Sequence, residues 1–556
     1  MRVQQQRTKG WLLLAAPLLF LSLFYFYPLL KIFALSFFPD GSWTNSGLVR
    51  FFTTPTYLRI LWFTCWQAAL STMLTLIVAL PGDYIYAHYS FPGKGLVRVL
   101  TTIPFVLPTV VTATAFRALL GDGGLVNTLL MNLFHLQGPP IHIDQSIAFF
   151  LLAHIFYNYA LVMRIVGGYW AGLAPELQQA ASMLGASPRR VFTKITLPLL
   201  MPAIGSAALL IFIFCFTSFG VVLILGGPRF ATLEVEIYRQ AIHLFNLPMA
   251  ATLSLIQILM NFFLMWLHAR LSQRADLSWF EGGGSEKLKI ARTRWDVFWI
   301  TANMGFMGIL LLAPLLALVV RSFLGDHGWT PAYYLALFTQ QTDSLFFVPP
   351  ASAIFNSIGF ALATMCLALL LGLSAAAFIA LPKKSGAALW DALIMLPLAT
   401  SAVTLGFGYI ITLNKPPLNL RNSGLLVIFA HTLVAFPFVI RCLLPSLRRI
   451  PAALREAAAL LGASPLQIKL SIDLPLISKA LLGGAVFAFA ISMGEFGAST
   501  FVTRPQTPTL PVAIFRFLSR PGELNYGQAM AMSVILMLVT SLAFFLLEKL
   551  QTAGRR

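Results

Sequence analysis

The sequence predicts an all-α polytopic membrane protein with about twelve transmembrane helices in two parallel six-helix repeats. Three observations lead there. The 556-residue chain is 58% hydrophobic and 10% charged, with a mean hydropathy of +0.81, more apolar surface than a soluble domain can hide. Apolar runs of about 20 residues, the length that crosses a bilayer, recur along it. The second half repeats landmarks of the first at a nearly fixed offset.

The first six runs lie near 10–37, 57–88, 99–120, 146–170, 200–226 and 247–270. The chain opens with a basic segment and an apolar run too long for a signal peptide's core, and no clear small-x-small cleavage site follows. It reads as a retained first transmembrane helix. The second six runs lie near 297–322, 352–382, 388–413, 424–447, 478–502 and 526–549.

The net charge is +19, from 38 Lys+Arg against 19 Asp+Glu. These residues do not form a basic patch on a foldable soluble domain, so nucleic acid is excluded as a partner. They cluster in alternate loops, as at Lys94 and Arg98, Arg189, Arg190 and Lys194, Lys383 and Lys384, and Arg448, Arg449 and Arg455. Basic loops stay inside, which places both termini in the cytoplasm and the bulk of the chain in the lipid membrane.

Residues 272–295 carry Gly282-Gly283-Gly284 and several charges, and read as a cytoplasmic linker between a first half, 1–271, and a second, 296–556. An offset of 277 pairs Gly185 with Gly462, His154 with His431, Arg164 with Arg441 and Gly220 with Gly497. An offset of 293 pairs Pro104 with Pro397, so an outer-loop insertion near 121–145 separates the two registers. Each half has an even number of spans, so the repeats are parallel.

The most informative repeat is polar. Residues 179–188 read QAASMLGASP and residues 456–465 read EAAALLGASP. Good helix formers lead to Gly185 and Gly462, suited to the positive-φ position that ends a helix. Ser187-Pro188 and Ser464-Pro465 supply an N-cap and a first-turn proline, so each phrase encodes helix, sharp turn, helix. The second helix of each is expected to end at Pro198 or Pro475, before the next membrane span. A simple connecting hairpin would not need the same phrase twice at matched spacing.

The pattern resembles the cytoplasmic EAA loop of ATP-binding-cassette importer permeases: Glu-Ala-Ala, three residues, Gly, nine residues, Ile-x-Leu-Pro. The copy at 453–475 matches at Glu456, Ala457, Ala458, Gly462, Ile472, Leu474 and Pro475. The copy at 176–198 matches at Ala180, Ala181, Gly185, Ile195, Leu197 and Pro198, with Gln179 in place of Glu. The likeness covers nearly the whole chain, as a fused, two-half type I importer permease of a bacterial inner membrane. It implies coupling to an ATPase through Gln179, Ala180, Ala181, Gly185 and Pro188, and through Glu456, Ala457, Ala458, Gly462 and Pro465. No G-x-x-x-x-G-K-[ST] sequence is present to cradle a nucleotide. ATP and magnesium are therefore expected on a separate ATP-binding subunit in two copies, with no cofactor in this chain. An extracytoplasmic substrate-binding protein is implied too.

Within that family the stretches 215–241 and 491–517 are similar to permeases for thiamine and for ferric iron, with thiamine slightly preferred. Both follow the fifth helix of a half, which lines the pathway in this class, and mark Ser218, Phe219, Glu495 and Phe496 as candidate pathway residues. Glu495 is an acid inside a membrane segment, facing either an aqueous path or a buried partner. Its repeat counterpart is Ser218. His154 and His431 lack the neighbours a metal site needs and read as hydrogen-bonded packing residues. No catalytic constellation is visible, so no enzyme activity is expected. Cys65, Cys215, Cys366 and Cys442 read as small core residues. An ion-gradient-driven secondary transporter is the alternative, although it would leave both repeated loops idle.

Overall fold

A computed structural model describes residues 13–95, 97, 101, 104, 107–173, 176–279, 288–291, 293–325, 328–339, 348–381, 387–414, 418–421 and 423–553. Arg98, Gly282–Gly284, Lys383, Lys384 and most of 99–108 lie outside the described residues. Apart from two-residue strands, regular structure is helical throughout.

The first half contains α1 (Leu13–Phe37), α2 (Pro55–His88), α3 (Thr109–Leu120), α4 (Ile147–Ala171), the loop helix α5 (Glu176–Met183), α6 (Pro188–Phe216), the short α7 (Leu233–Tyr238) and α8 (Leu247–Trp279). The second half contains α9 (Arg294–Arg321), α10 (Ala351–Ile379), α11 (Ala402–Thr412), α12 (Leu425–Arg449), the loop helix α13 (Ala452–Leu460), α14 (Pro465–Gly494), α15 (Gly497–Val502), α16 (Leu510–Leu518) and α17 (Glu523–Ala553). Among the described residues ten helices are long and apolar enough to cross a membrane, and eleven if a bent pair counts as one span. The expected twelfth, 99–120, is described mainly as α3.

Three expected spans are broken. Leu389–Ala399 and α11 meet at 90°. Pro397 has no N–H to continue the ladder, and the Ser401 hydroxyl restarts it by accepting the amides of Val403 (3.1 Å) and Thr404 (3.3 Å). The run 200–226 ends its helix at Phe216, and 478–502 breaks after Gly494. At the second break Glu495 is extended, and its Oε1 accepts the Ala498 amide (2.8 Å), capping α15.

The prolines at the loop ends do not stop their helices, contrary to expectation. π-turns at Phe192–Thr196 and Lys469–Asp473 absorb the register change, and α6 and α14 continue through Pro198 and Pro475. The outer insertion folds as a helix, Leu125–Phe134, pinned by Asn127, which donates to the carbonyls of Gly121 and Ile141.

The halves clasp each other. Helix α1 packs on α8 and crosses to α11, and α9 packs against α3. The Tyr25 hydroxyl is hydrogen-bonded to Thr400 Oγ1 at 2.7 Å, and the rings of Phe24 and Phe429 lie 4.4 Å apart. Helices α2, α4 and α6 pack together in one half, as α10, α12 and α14 do in the other. Strand β1 (Tyr89–Ser90) pairs in parallel with β2 (Lys289–Ile290), joining the end of α2 to the segment before α9.

Tyr25→Phe removes a buried bond between the halves while keeping the ring. It should cost about 0.5–1 kcal/mol, seen as a lower thermal midpoint of the chain in lipid nanodiscs. An unchanged midpoint would show that this contact does not hold the halves.

Candidate translocation site and loop surface

The two polar phrases fold as the sequence dictates. Helices α5 and α13 bury no residue. They end at Gly185 (φ +82°) and Gly462 (φ +86°), conformations that L side chains resist. The amides of Ala186 and Ala463 reach back to the carbonyls of Ala181 and Ala458, both at 3.0 Å, closing the turn. Ser187 caps α6 through the Arg190 amide, and Ser464 caps α14 through the Gln467 amide. Gln179, Ala180, Gly185, Pro188, Glu456, Ala457, Gly462 and Pro465 are exposed, and Ala181 and Ala458 are half-buried.

Each turn presents an apolar tip. Met183, Leu184, Leu460 and Leu461 are all 89% exposed. An apolar pair held clear of its own protein at matched points of both repeats is the mark of a docking surface. From the turn, α6 and α14 run 29 and 30 residues without interruption. Each is therefore a rod of about 45 Å. The rods end at Phe216 and Gly494, beside the breaks.

The copies differ in bracing. In the second, Arg455 Nε pairs with Asp473 Oδ1 at 2.8 Å, and Gln467 Oε1 accepts the Ser464 amide to complete a capping box. Gln178, Thr196 and Arg190 stand at those positions in the first.

The breaks meet at a cavity of about 340 Å³ between the halves. Its described lining includes Ser218, Phe219, Glu495 and Phe496, so the structure brings the four candidate pathway residues together. The Phe219 and Phe496 rings stack, with centroids 5.4 Å apart. Glu495 is 8% exposed. Ser218, its counterpart, is hydrogen-bonded to His154 Nε2 at 2.9 Å. Thus the same slot holds a hydroxyl in one half and a carboxylate in the other.

A second acid lines this cavity. Glu234, 1% exposed, projects from α7. Its oxygens accept from Gln257 Nε2 (2.5 Å) and Ser401 Oγ (2.7 Å). Ser401 is also the cap of α11, so one hydroxyl joins the acid to the helix break. The sequence reading includes this acid in the stretch 215–241 without singling it out. A signal was present: Glu234 and Glu236 are acids interleaved with Leu233, Val235 and Ile237.

The histidines are packing residues with full partners. His154 Nδ1 bonds to Ser71 (2.8 Å), and His431 bonds to Ser492 and Ser499 (both 2.8 Å). Arg164 and Arg441 are exposed at equivalent points.

A bundle of long apolar helices in two clasped halves, with a paired loop surface and a cavity between, defines a membrane permease. The family model described as "binding-protein-dependent transport system inner membrane component" matches residues 71–277 and 368–556. The chain belongs to that family: it is the inner-membrane permease component of an ATP-binding-cassette importer, and the ATPase is a separate subunit. The ion-gradient alternative falls with that membership. The chain is similar to the thiamine transport system permease protein ThiP of Brucella abortus (strain 2308), 28% identical over 90% of this chain and 89% of that one. It is similar to ThiP of Escherichia coli (strain K12), 26% identical over 88% of each. It also resembles the ferric transport system permease protein FbpB of Actinobacillus pleuropneumoniae, 25% identical over 95% of this chain and 76% of that one.

The unequal bracing has a measurable consequence. Arg455→Ala should speed amide hydrogen exchange across 452–473, because α13 loses its tie to Asp473. Gln178→Ala should leave exchange across 176–196 unchanged. Equal responses in both loops would contradict the asymmetry.

Proposed function

We propose that this permease imports a small cationic solute, thiamine in first place and ferric iron in second, delivered by an extracytoplasmic binding protein. The observation that carries the solute class is the pair of carboxylates facing one cavity: Glu234 from the first half and Glu495 from the second, beside the stacked Phe219 and Phe496. Carboxylates supply counter-charge for a cation, and aromatic faces suit a charged ring. The volume falls in the small-molecule range of roughly 300–1,000 Å³. The thiamine and ferric permeases to which the chain is similar support the same two solutes.

Two copies of an ATP-binding subunit dock on the loops at 176–198 and 453–475, with Met183-Leu184 and Leu460-Leu461 as apolar anchors. Both loops and both termini face the cytoplasm. ATP and magnesium stay on those subunits. Their closure moves the loops, and the rods α6 and α14 carry the motion to the cavity. The two stacked rings part, and the solute passes from one side to the other by alternating access. The units that move are the halves 1–271 and 296–556, joined through 272–295.

Two variants test separate parts of this reading. Leu461→Asp places a charge on an exposed tip, so the chain should fold but bind ATP-binding subunits about tenfold or more weakly. Retained binding would sink the docking role. The double change Glu234→Gln with Glu495→Gln should raise the thiamine concentration for half-maximal uptake into proteoliposomes, with subunit binding unaltered. Uptake with unchanged concentration dependence for both thiamine and ferric iron would remove the cationic-solute reading.

A further inference from the structure

One buried charge takes no part in the loops or the cavity. Asp83 lies on α2, five residues before its last residue, His88, and is fully buried. Among the described residues, neither of its carboxylate oxygens has a hydrogen-bond partner. None of the ion pairs among the described residues includes it. A buried carboxylate without a counter-charge is costly in protein and more so in a membrane.

Among the described residues, two further unpartnered, buried oxygens lie beside Gly82, the chain neighbour of Asp83: the Tyr159 hydroxyl on α4 and Asn303 Oδ1 on α9. A Cβ on Gly82 would lie 2.3 Å from Tyr159 Oη and 3.3 Å from Asn303 Oδ1, so only glycine admits both oxygens. From the opposite helix, a Cβ on Gly167 would lie 3.2 Å from Asp83 Oδ1. Gly167 closes the π-turn Met163–Gly167, a distortion that recurs at functional sites.

The duplicated fold supplies its own control. The 277 offset puts Phe436 at the place of Tyr159, and the 293 offset puts Ala376 at that of Asp83. Both are fully buried. The second half therefore has apolar residues where the first has Tyr159 and Asp83, and the architecture alone does not require that polar pair.

Four oxygens that carry one negative charge make a hard-cation ligand set, since carboxylate, amide carbonyl and hydroxyl oxygens suit such ions. The single carboxylate balances one positive charge, and a divalent ion would leave a buried excess. We propose that Asp83, Tyr159 and Asn303 form a binding site for a sodium-class monovalent cation. Because α9 belongs to the second half, the ion ties the two halves together beside the end of α2. It favours the packing of α9 on α2 and α4 that brings these oxygens together, and so biases the permease toward that arrangement. The site does not depend on which solute the permease carries.

The test uses the full chain in lipid nanodiscs, titrated with NaCl against choline chloride at constant ionic strength and pH. Sodium should raise the thermal midpoint saturably, and choline should not. Asp83→Asn should abolish the sodium response. Tyr159→Phe, which copies Phe436, should raise the half-saturating sodium concentration about tenfold. If Asp83→Asn does not fold, Tyr159→Phe and Asn303→Leu carry the test. A wild-type midpoint indifferent to sodium would overturn the site, as would variants that respond like wild type. A midpoint that moves with pH but not with sodium would also overturn it, by making Asp83 a proton carrier only.

Discussion

Inside a bilayer a helix cannot break unless something other than water satisfies the freed backbone groups. That constraint organises this permease. Breaks occur at Thr400–Ser401, after Phe216 and after Gly494, and they surround one cavity between the halves. Two polar side chains there have structural duties. Ser401 caps α11 and holds Glu234, while Glu495 caps α15. Irregular backbone is tolerated because it faces a cavity, and the groups that make it tolerable are the ones that can meet a solute.

The same scaffold is used twice with different chemistry. Glu456 answers Gln179 on the loops, and Glu495 answers Ser218 at the cavity. Arg455 and Asp473 brace one loop where Gln178 and Thr196 stand in the other. Tyr159 and Asp83 stand where the second half has Phe436 and Ala376. What both halves keep is geometric: the positive-φ glycine, the serine cap, the π-turn before the proline, and a rod from loop to cavity. What they vary is charge. A fused chain permits this, because its two pseudo-equivalent positions can diverge independently.

Much of this could be read from the residues. Hydropathy located most spans, and the phrase ending in Gly-Ala-Ser-Pro encoded its own turn because glycine, serine and proline act locally. The match of Ser218 with Glu495 pointed to a shared site. The breaks were not legible, since 200–226, 388–413 and 478–502 each average apolar enough to read as one span, and hydropathy does not register where a ladder of hydrogen bonds stops. Pro198 and Pro475 looked like terminators because the π-turns that absorb them have no composition signal. Glu234 was missed because its role depends on Ser401 and Gln257, which are distant in sequence. The burial of Asp83 was not legible, because nothing in its local sequence shows that packing covers it completely.

The stacked Phe219 and Phe496 join the two halves at the cavity. The most direct measurement is transport by the Phe219→Cys and Phe496→Cys double variant, assembled with its ATP-binding subunits in proteoliposomes. With the disulfide formed, uptake should stop while the subunits remain bound, and reduction should restore it. Uptake that continues through a fully formed cross-link would contradict a path between the halves.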